Sequence, residues 1–193
     1  MKNVLIVVDT VNGFINEGNL SDKNINKVTP NIVNLVKEAI LKEIPIIAFK
    51  DCHLEDDEEF KLFPVHCIKG TSESEFIPEL KPYENDFFII EKNQTNGFNT
   101  ENFKEIASKI IFDKAYVVGC CTDICVEQFA TSYQEFNQKH NRSTQVVVLE
   151  NSVYTFDNPS HNAKAKHKEA LARMEQAGVQ VLMQKPKILE LIK

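Results

Sequence analysis

The chain has 193 residues, 42% of them hydrophobic and 26% charged. That is enough for one α/β domain with a full core, too little for two ordinary domains, and too apolar for a disordered chain. Twenty-eight acidic and 22 basic side chains give a formal net charge of −6 without a basic patch, which argues against nucleic acid as the main partner. No apolar run is long enough to cross a bilayer, and Met1-Lys2-Asn3 leads straight into a strand, leaving no room for a signal peptide. The five cysteines, at 52, 67, 120, 121 and 125, read as reduced thiols of a cytoplasmic protein.

In chain order, Val4–Val8 is an unbroken aliphatic run, the pattern of a strand buried on both faces of a parallel sheet. Thr29 as N-cap and Pro30 at the first helical position start a helix with the stripe Ile32, Leu35, Val36, Ala39 and Ile40. Pro45 ends it, and Ile46–Phe49 and Phe87–Ile90 are the next strands. Between these two strands, Asp51–Tyr83 is too long for a plain connection, and structureless loops of that length are usually functional.

Thr100 caps a helix with the stripe Phe103, Ile106, Ala107, Ile110 and Ile111, and Ala115–Val118 is a strand closed by Gly119. A helix from about Asp123 carries Val126, Phe129, Ala130, Tyr133 and Phe136 on one face. The strand Val146–Leu149 follows, then a helix capped by Ser160 with the stripe Ala163, His167, Ala170, Leu171, Met174 and Ala177. Gly178 stops that helix, Val179–Met183 is a sixth strand, and Lys187–Ile192 is a short terminal helix. Strands and helices alternate throughout. The expectation is one α/β domain over residues 1–193, a six-stranded, mostly parallel sheet with helices on both faces in a Rossmann-type three-layer arrangement.

In such sheets, sites form beyond the carboxyl ends of the strands, where Asp9, Asp51, Lys92 and the Gly119–Cys125 turn all fall. With Thr122 as N-cap, Cys125 is the third helical residue, near free N–H groups and the positive end of the helix dipole, which favour a thiolate. An aspartate could take the thiol proton and return it to a leaving amine, and a lysine could hold that aspartate. Taken singly, these residues read as a small core cysteine, a turn-capping Asp9 and a solvated Lys92.

The chain resembles the isochorismatase-like cysteine hydrolases in motifs that run in the same order along nearly its whole length. These are the apolar strand ending in Asp9 followed by Asn12-Gly13-Phe14, then Glu91-Lys92, then Thr122-Asp123-Ile124-Cys125-Val126. The resemblance implies a catalytic triad of Asp9, Lys92 and Cys125, a cis peptide before Cys121, and an oxyanion hole made by the N–H groups of Cys121 and Cys125. It also implies a central six-stranded parallel sheet flanked by helices.

Asp51-Cys52-His53 places two ligands on one side of an extended chain, and Glu59 and His66 follow. Two imidazoles and two carboxylates suit Zn²⁺ and could also hold Fe, Mn or Ni, whereas the run Glu55–Glu59 could equally be a solvated acidic stretch. Asp-x-His at a strand end, with Phe63–Thr71 reading Phe-Pro-x-His-Cys-x-x-Gly-Thr, is similar to the nicotinamidase subgroup. That similarity implies Asp51, His53, Glu59 and His66 as ligands of a divalent metal, most simply zinc, with Glu58 as an alternative to Glu59. Val11-Asn12-Gly13-Phe14 departs from the subgroup's usual Gln-Asn-Asp-Phe, and Thr95 stands where an aromatic is common. Phe14, Phe63 and Phe98 are the candidates for an apolar ring slot.

The expected activity is therefore hydrolysis of nicotinamide to nicotinate and ammonia through a cysteine thioester, by a homo-oligomer whose partner is a small amide. Three readings compete with it. The chain could be a cysteine hydrolase of another small amide or ureide, a zinc hydrolase working through metal-bound hydroxide, or a flavodoxin-like binding domain.

Overall fold

The computed structural model describes residues 2–183. In chain order the main elements are β1 (Val4–Val8), the one-turn α1 (Asn12–Ile15), α2 (Thr29–Leu41), β2 (Ile46–Asp51) and β3 (Phe87–Lys92). After these come α3 (Glu101–Lys109), β4 (Lys114–Cys120), α4 (Glu127–Lys139), β5 (Gln145–Tyr154), α5 (Ala163–Gln176) and β6 (Gln180–Leu182). The six strands form one sheet in the order β3-β2-β1-β4-β5-β6, and every pair is parallel. The expected terminal helix Lys187–Ile192 lies outside the described residues.

The continuous apolar runs of the central strands are explained by two cores, one on each face of the sheet. Leu5 and Val7 point into a core closed by Ile32, Leu35, Val36 and Ala39 of α2. Val4, Ile6 and Val8 point into the opposite core, closed by Phe103 of α3, Phe129 and Tyr133 of α4, and Leu171 and Met174 of α5. The period-2 alternation of a strand thus sends neighbouring residues of β1 to opposite layers.

Several boundaries differ from the sequence expectation. Thr29 does not cap α2: a 3-10 segment, Lys23–Val28, runs directly into the helix, and the side-chain cap sits earlier, at Asp22, which accepts from the Asn24 N–H. Thr100 does cap α3, accepting from Phe103 N–H, but the chain turns extended at Ile110. Ile111 therefore faces solvent, and Phe112 takes the buried position. Asn162, not Ser160, caps α5, accepting from Ala165 N–H, while Ser160 donates to Asn158 Oδ1. β5 runs on to Tyr154, with a shift in its pairing to β4 between Val117 and Gly119.

The strand order reverses between β1 and β4, the switch point at which open α/β sheets build sites. Close approach there requires Gly119. It has φ +120°, and a Cβ on it would lie 1.9 Å from the Val8 carbonyl oxygen.

Candidate active site

Asp9 leaves β1 with φ +46° and is fully buried. Lys92 ends β3 opposite Asp51, which ends β2. The Lys92 ammonium bridges the two carboxylates, with Nζ 2.9 Å from Asp9 Oδ2 and 2.7 Å from Asp51 Oδ1. The contact to Asp9 is an ion pair off the angle of a good hydrogen bond, since neither Asp9 oxygen has a well-aligned partner. The contact to Asp51 is a hydrogen bond.

Cys125 sits across the switch point, in the turn between β4 and α4. The Cys120–Cys121 peptide is cis, as the family resemblance implies. Thr122–Val126 then forms one wide π turn with Cys121 as its N-cap, so Cys125 is its fourth residue and Thr122 does not cap it. Thr122 instead has its hydroxyl 3.0 Å from His167 Nδ1.

The electrostatics differ from the helix-dipole expectation. Burial pushes the Cys125 thiol well above its ordinary range; Lys92 opposes this, and Asp9 and Asp51 add to it. Desolvation therefore works against the thiolate that the local dipole favours. Burial likewise raises the Asp9 carboxyl to about 7, against the pull of Lys92 and with a push from Asp51; the Cys125 thiol is among the contacts that lower it. Burial alone would lower the Lys92 pKa, but Asp51, Asp9 and Cys125 lift it well above its usual value. A thiol whose ionisation is held back by burial thus faces a carboxyl raised to about 7, with the Lys92 cation beside both.

Asp51, His53 and His66 offer ligand atoms that all lie within 4.8 Å of one another, and all three residues are buried. His53 Nε2 and His66 Nε2 lie 3.1 and 3.2 Å from Asp51 Oδ2. The other ring nitrogens are already committed: His66 Nδ1 donates to Pro64 O at 2.7 Å, and His53 Nδ1 to Asp57 Oδ2 at 3.0 Å. Both Nε2 atoms face the same Asp51 oxygen, so with each ring's proton on Nδ1 the three groups would offer a donor set that fits a divalent cation. Burial would raise the Asp51 carboxyl, but Lys92 and the bonds from His53 and His66 hold it well below the usual range.

Glu59 falls outside this convergent set. It stands half-buried on the short 3-10 turn Glu58–Lys61 and lines the cavity beside it, with its carboxyl pushed up by burial and by Asp51. Glu58 points into solvent and pairs with Lys61, so it is no substitute.

These groups open onto a cavity of about 490 Å³. Cys121, Cys125, Asp51, His66 and Glu59 line it, together with Phe14 and Phe63. Phe14 and Phe63 lie 5.7 and 6.4 Å from the His66 ring, centroid to centroid. Phe98 does not belong to the slot. It packs in the core against Phe103, Tyr133 and Phe136, because the 3-10 turn Gly97–Asn99 directs it toward α3 and α4. Thr95, Ile124 and Phe156 line the cavity instead. Of these, Ile124 and Thr95 are neighbours of the quoted motifs, whereas Phe156 follows β5 and no local motif marks it. No Lys or Arg is among the described residues lining the cavity.

A thiol, a carboxylate and an ammonium gathered at the switch point of a doubly wound parallel sheet define a cysteine hydrolase of the α/β class. The chain belongs to the isochorismatase family: the family model described as Isochorismatase domain matches residues 3–185. Nicotinamidase 1 of Arabidopsis thaliana is 35% identical over 178 residues, spanning 83% of this chain and 72% of that protein. The crystal structure of nicotinamidase PncA from Bacillus subtilis superposes with a TM-score of 0.76 at 28% identity, over 94% of this chain and 99% of that one. Pyrazinamidase of Pyrococcus horikoshii, solved in complex with zinc, superposes at 0.75 with 25% identity, over 95% of this chain and all of that one.

Proposed function

We propose that the chain is a nicotinamidase, hydrolysing nicotinamide to nicotinate and ammonia, with Asp9, Lys92 and Cys125 as its catalytic residues. The observation that carries the reading is that the Cys125 thiol and the Asp51–His66 edge of the ligand cluster face one aromatic-walled cavity. A flat pyridine carboxamide has a carbonyl carbon for the first and a ring nitrogen for the second. The two nicotinamidase relatives support the same substrate. Among the described residues the cavity carries Asp51, Glu59, Asp22 and Asp157 and no Lys or Arg, a lining that suits an uncharged amide better than the dicarboxylate isochorismate.

In this reading Asp9, held as a carboxylate by Lys92, takes the Cys125 proton as the sulfur attacks the carboxamide carbon. The N–H groups of Cys121 and Cys125 hold the oxyanion, each donor contributing roughly 3–4 kcal/mol. Asp9 gives its proton to the nitrogen, the C–N bond breaks, and ammonia leaves a thioester on Cys125. Asp9 then takes a proton from water as the water oxygen attacks the thioester carbon. Collapse of that adduct breaks the C–S bond, returns the Asp9 proton to sulfur and frees nicotinic acid, which loses its remaining proton to the released ammonia to give nicotinate. Lys92 stays charged throughout. Asp51, His53 and His66 would hold a divalent ion, with Glu59 beside them; zinc is the choice the Pyrococcus relative supports, and such an ion supplies a Lewis-acid contact for the ring nitrogen. Five free thiols fit a reducing, cytoplasmic setting.

The test is ammonia release from a panel of small amides and ureides. Nicotinamide should give the highest kcat/KM. A ureide that outruns it would move the assignment to another branch of the family.

A further inference from the structure

The acidic run before Glu59 contains a residue that the mechanism does not use. Asp57 lies outside the ligand cluster, yet its carboxylate is fully engaged. Oδ2 lies 3.0 Å from His53 Nδ1 and accepts from the Leu54 N–H at 3.0 Å, while Oδ1 accepts from Asn93 Nδ2 at 3.1 Å. Asn93 directly follows Lys92. One carboxylate therefore joins three things: the ring of a metal-ligand candidate, the turn that carries it, and the chain beside the catalytic lysine. Its neighbours in the run, Asp56 and Glu58, are exposed.

We infer that Asp57 is a positioning residue for the metal site, fixing His53 with its proton on Nδ1 and its Nε2 lone pair toward Asp51 and His66, and that Asn93 holds Asp57 in place. A neutral imidazole has one donor nitrogen and one acceptor, and the acceptor must face the metal. Between two carboxylates, Asp51 at Nε2 and Asp57 at Nδ1, the ring otherwise has no fixed preference for the ligating tautomer. The Leu54 and Asn93 bonds keep the Asp57 carboxylate from rotating away. The bond to Leu54 alone would make Asp57 an ordinary turn residue, and the experiment has to separate the two roles.

The inference rests on the metal half of the proposed function, but its first readout needs no metal. In metal-free, ¹⁵N-labelled protein at a pH high enough to leave the imidazole neutral, long-range proton–nitrogen correlation spectra report which nitrogen of His53 carries the proton. The wild type should show Nδ1–H, and Asp57→Ala should show a mixture or the other tautomer. In the second readout, equilibrium dialysis with zinc, Asp57→Ala should lose about 10- to 100-fold in affinity, Asn93→Ala less, and Asp56→Ala nothing. Asp56→Ala controls for the lost charge of the acidic run. Asn93→Ala keeps the test alive if Asp57→Ala fails to fold. An unchanged His53 tautomer in a folded Asp57→Ala variant would overturn the inference, as would an unchanged zinc affinity in a folded Asn93→Ala variant or an equal affinity loss in Asp56→Ala. Wild-type protein that binds no zinc would defeat the metal reading, and the tautomer spectra would still decide the role of Asp57.

Discussion

At the end of β1, Asp9 is the residue that the proposed mechanism uses as a base toward the Cys125 thiol and as an acid toward the leaving amine. Its surroundings set it between the two. Burial raises its carboxyl to about 7, with Lys92 pulling against that rise. The carboxylate is the active form at the first step, so kcat/KM should rise with pH and level off above about pH 7. Lys92→Met removes the opposing cation, so the rising limb should move to higher pH while the maximum falls. Asp9→Asn should lower kcat by at least about 100-fold. If the two groups act as one unit, the Asp9→Asn, Lys92→Met double variant should be little worse than the weaker single one, and additive losses would separate their roles. The places of the three residues were legible in the sequence, because Asp9 follows one apolar run, Lys92 lies just beyond another and Cys125 sits in a strand-to-helix turn; their grouping came from the family resemblance. What was not legible depends on packing. Burial of the Cys125 thiol opposes its ionisation, which a helix-position argument does not count. Asp57 hides among five consecutive acids with the same local signature. Phe98 and Phe63 look alike until the chain turns one inward and the other toward the cavity.

At the scale of elements, the β4-to-α4 turn has to bring Cys125 up to β1, and Gly119 makes that approach possible. A methyl group there would meet the Val8 carbonyl at 1.9 Å, on a backbone of φ +120° that side chains rarely adopt. Gly119→Ala should therefore cost at least about 3 kcal/mol in urea unfolding and lower activity in whatever fraction folds, since β1 or the turn must shift. Thr100→Ala should cost about 1 kcal/mol through loss of the α3 cap, with kcat unchanged. Strand identities followed directly from the aliphatic runs, because a strand buried on both faces leaves little room for polar residues. Helix starts were harder. Thr29 and Ser160 have the right chemistry for caps, but a cap is chosen by where the backbone begins to turn. The 3-10 entry to α2 moved that point back to Asp22, and the Asn158–Ser160 contact in the turn before α5 left the cap to Asn162.

For the whole molecule, the apolar cores on the two faces of the sheet do not depend on the segment that carries His53 and His66. Chelation should therefore leave far-UV circular dichroism and cooperative unfolding in place, while lowering the unfolding midpoint by the lost binding energy and reducing nicotinamide turnover. Loss of the cooperative transition on chelation would mean that the metal loop is part of the core. The central claim is that catalysis runs through a thioester on Cys125. Its most direct test is mass spectrometry of the protein quenched during nicotinamide turnover, alongside ammonia release by Cys125→Ala. The account predicts a nicotinoyl adduct on the Cys125 peptide of the wild type, and a folded variant with neither adduct nor ammonia release. A folded Cys125→Ala protein that still releases ammonia at near wild-type rate would contradict it.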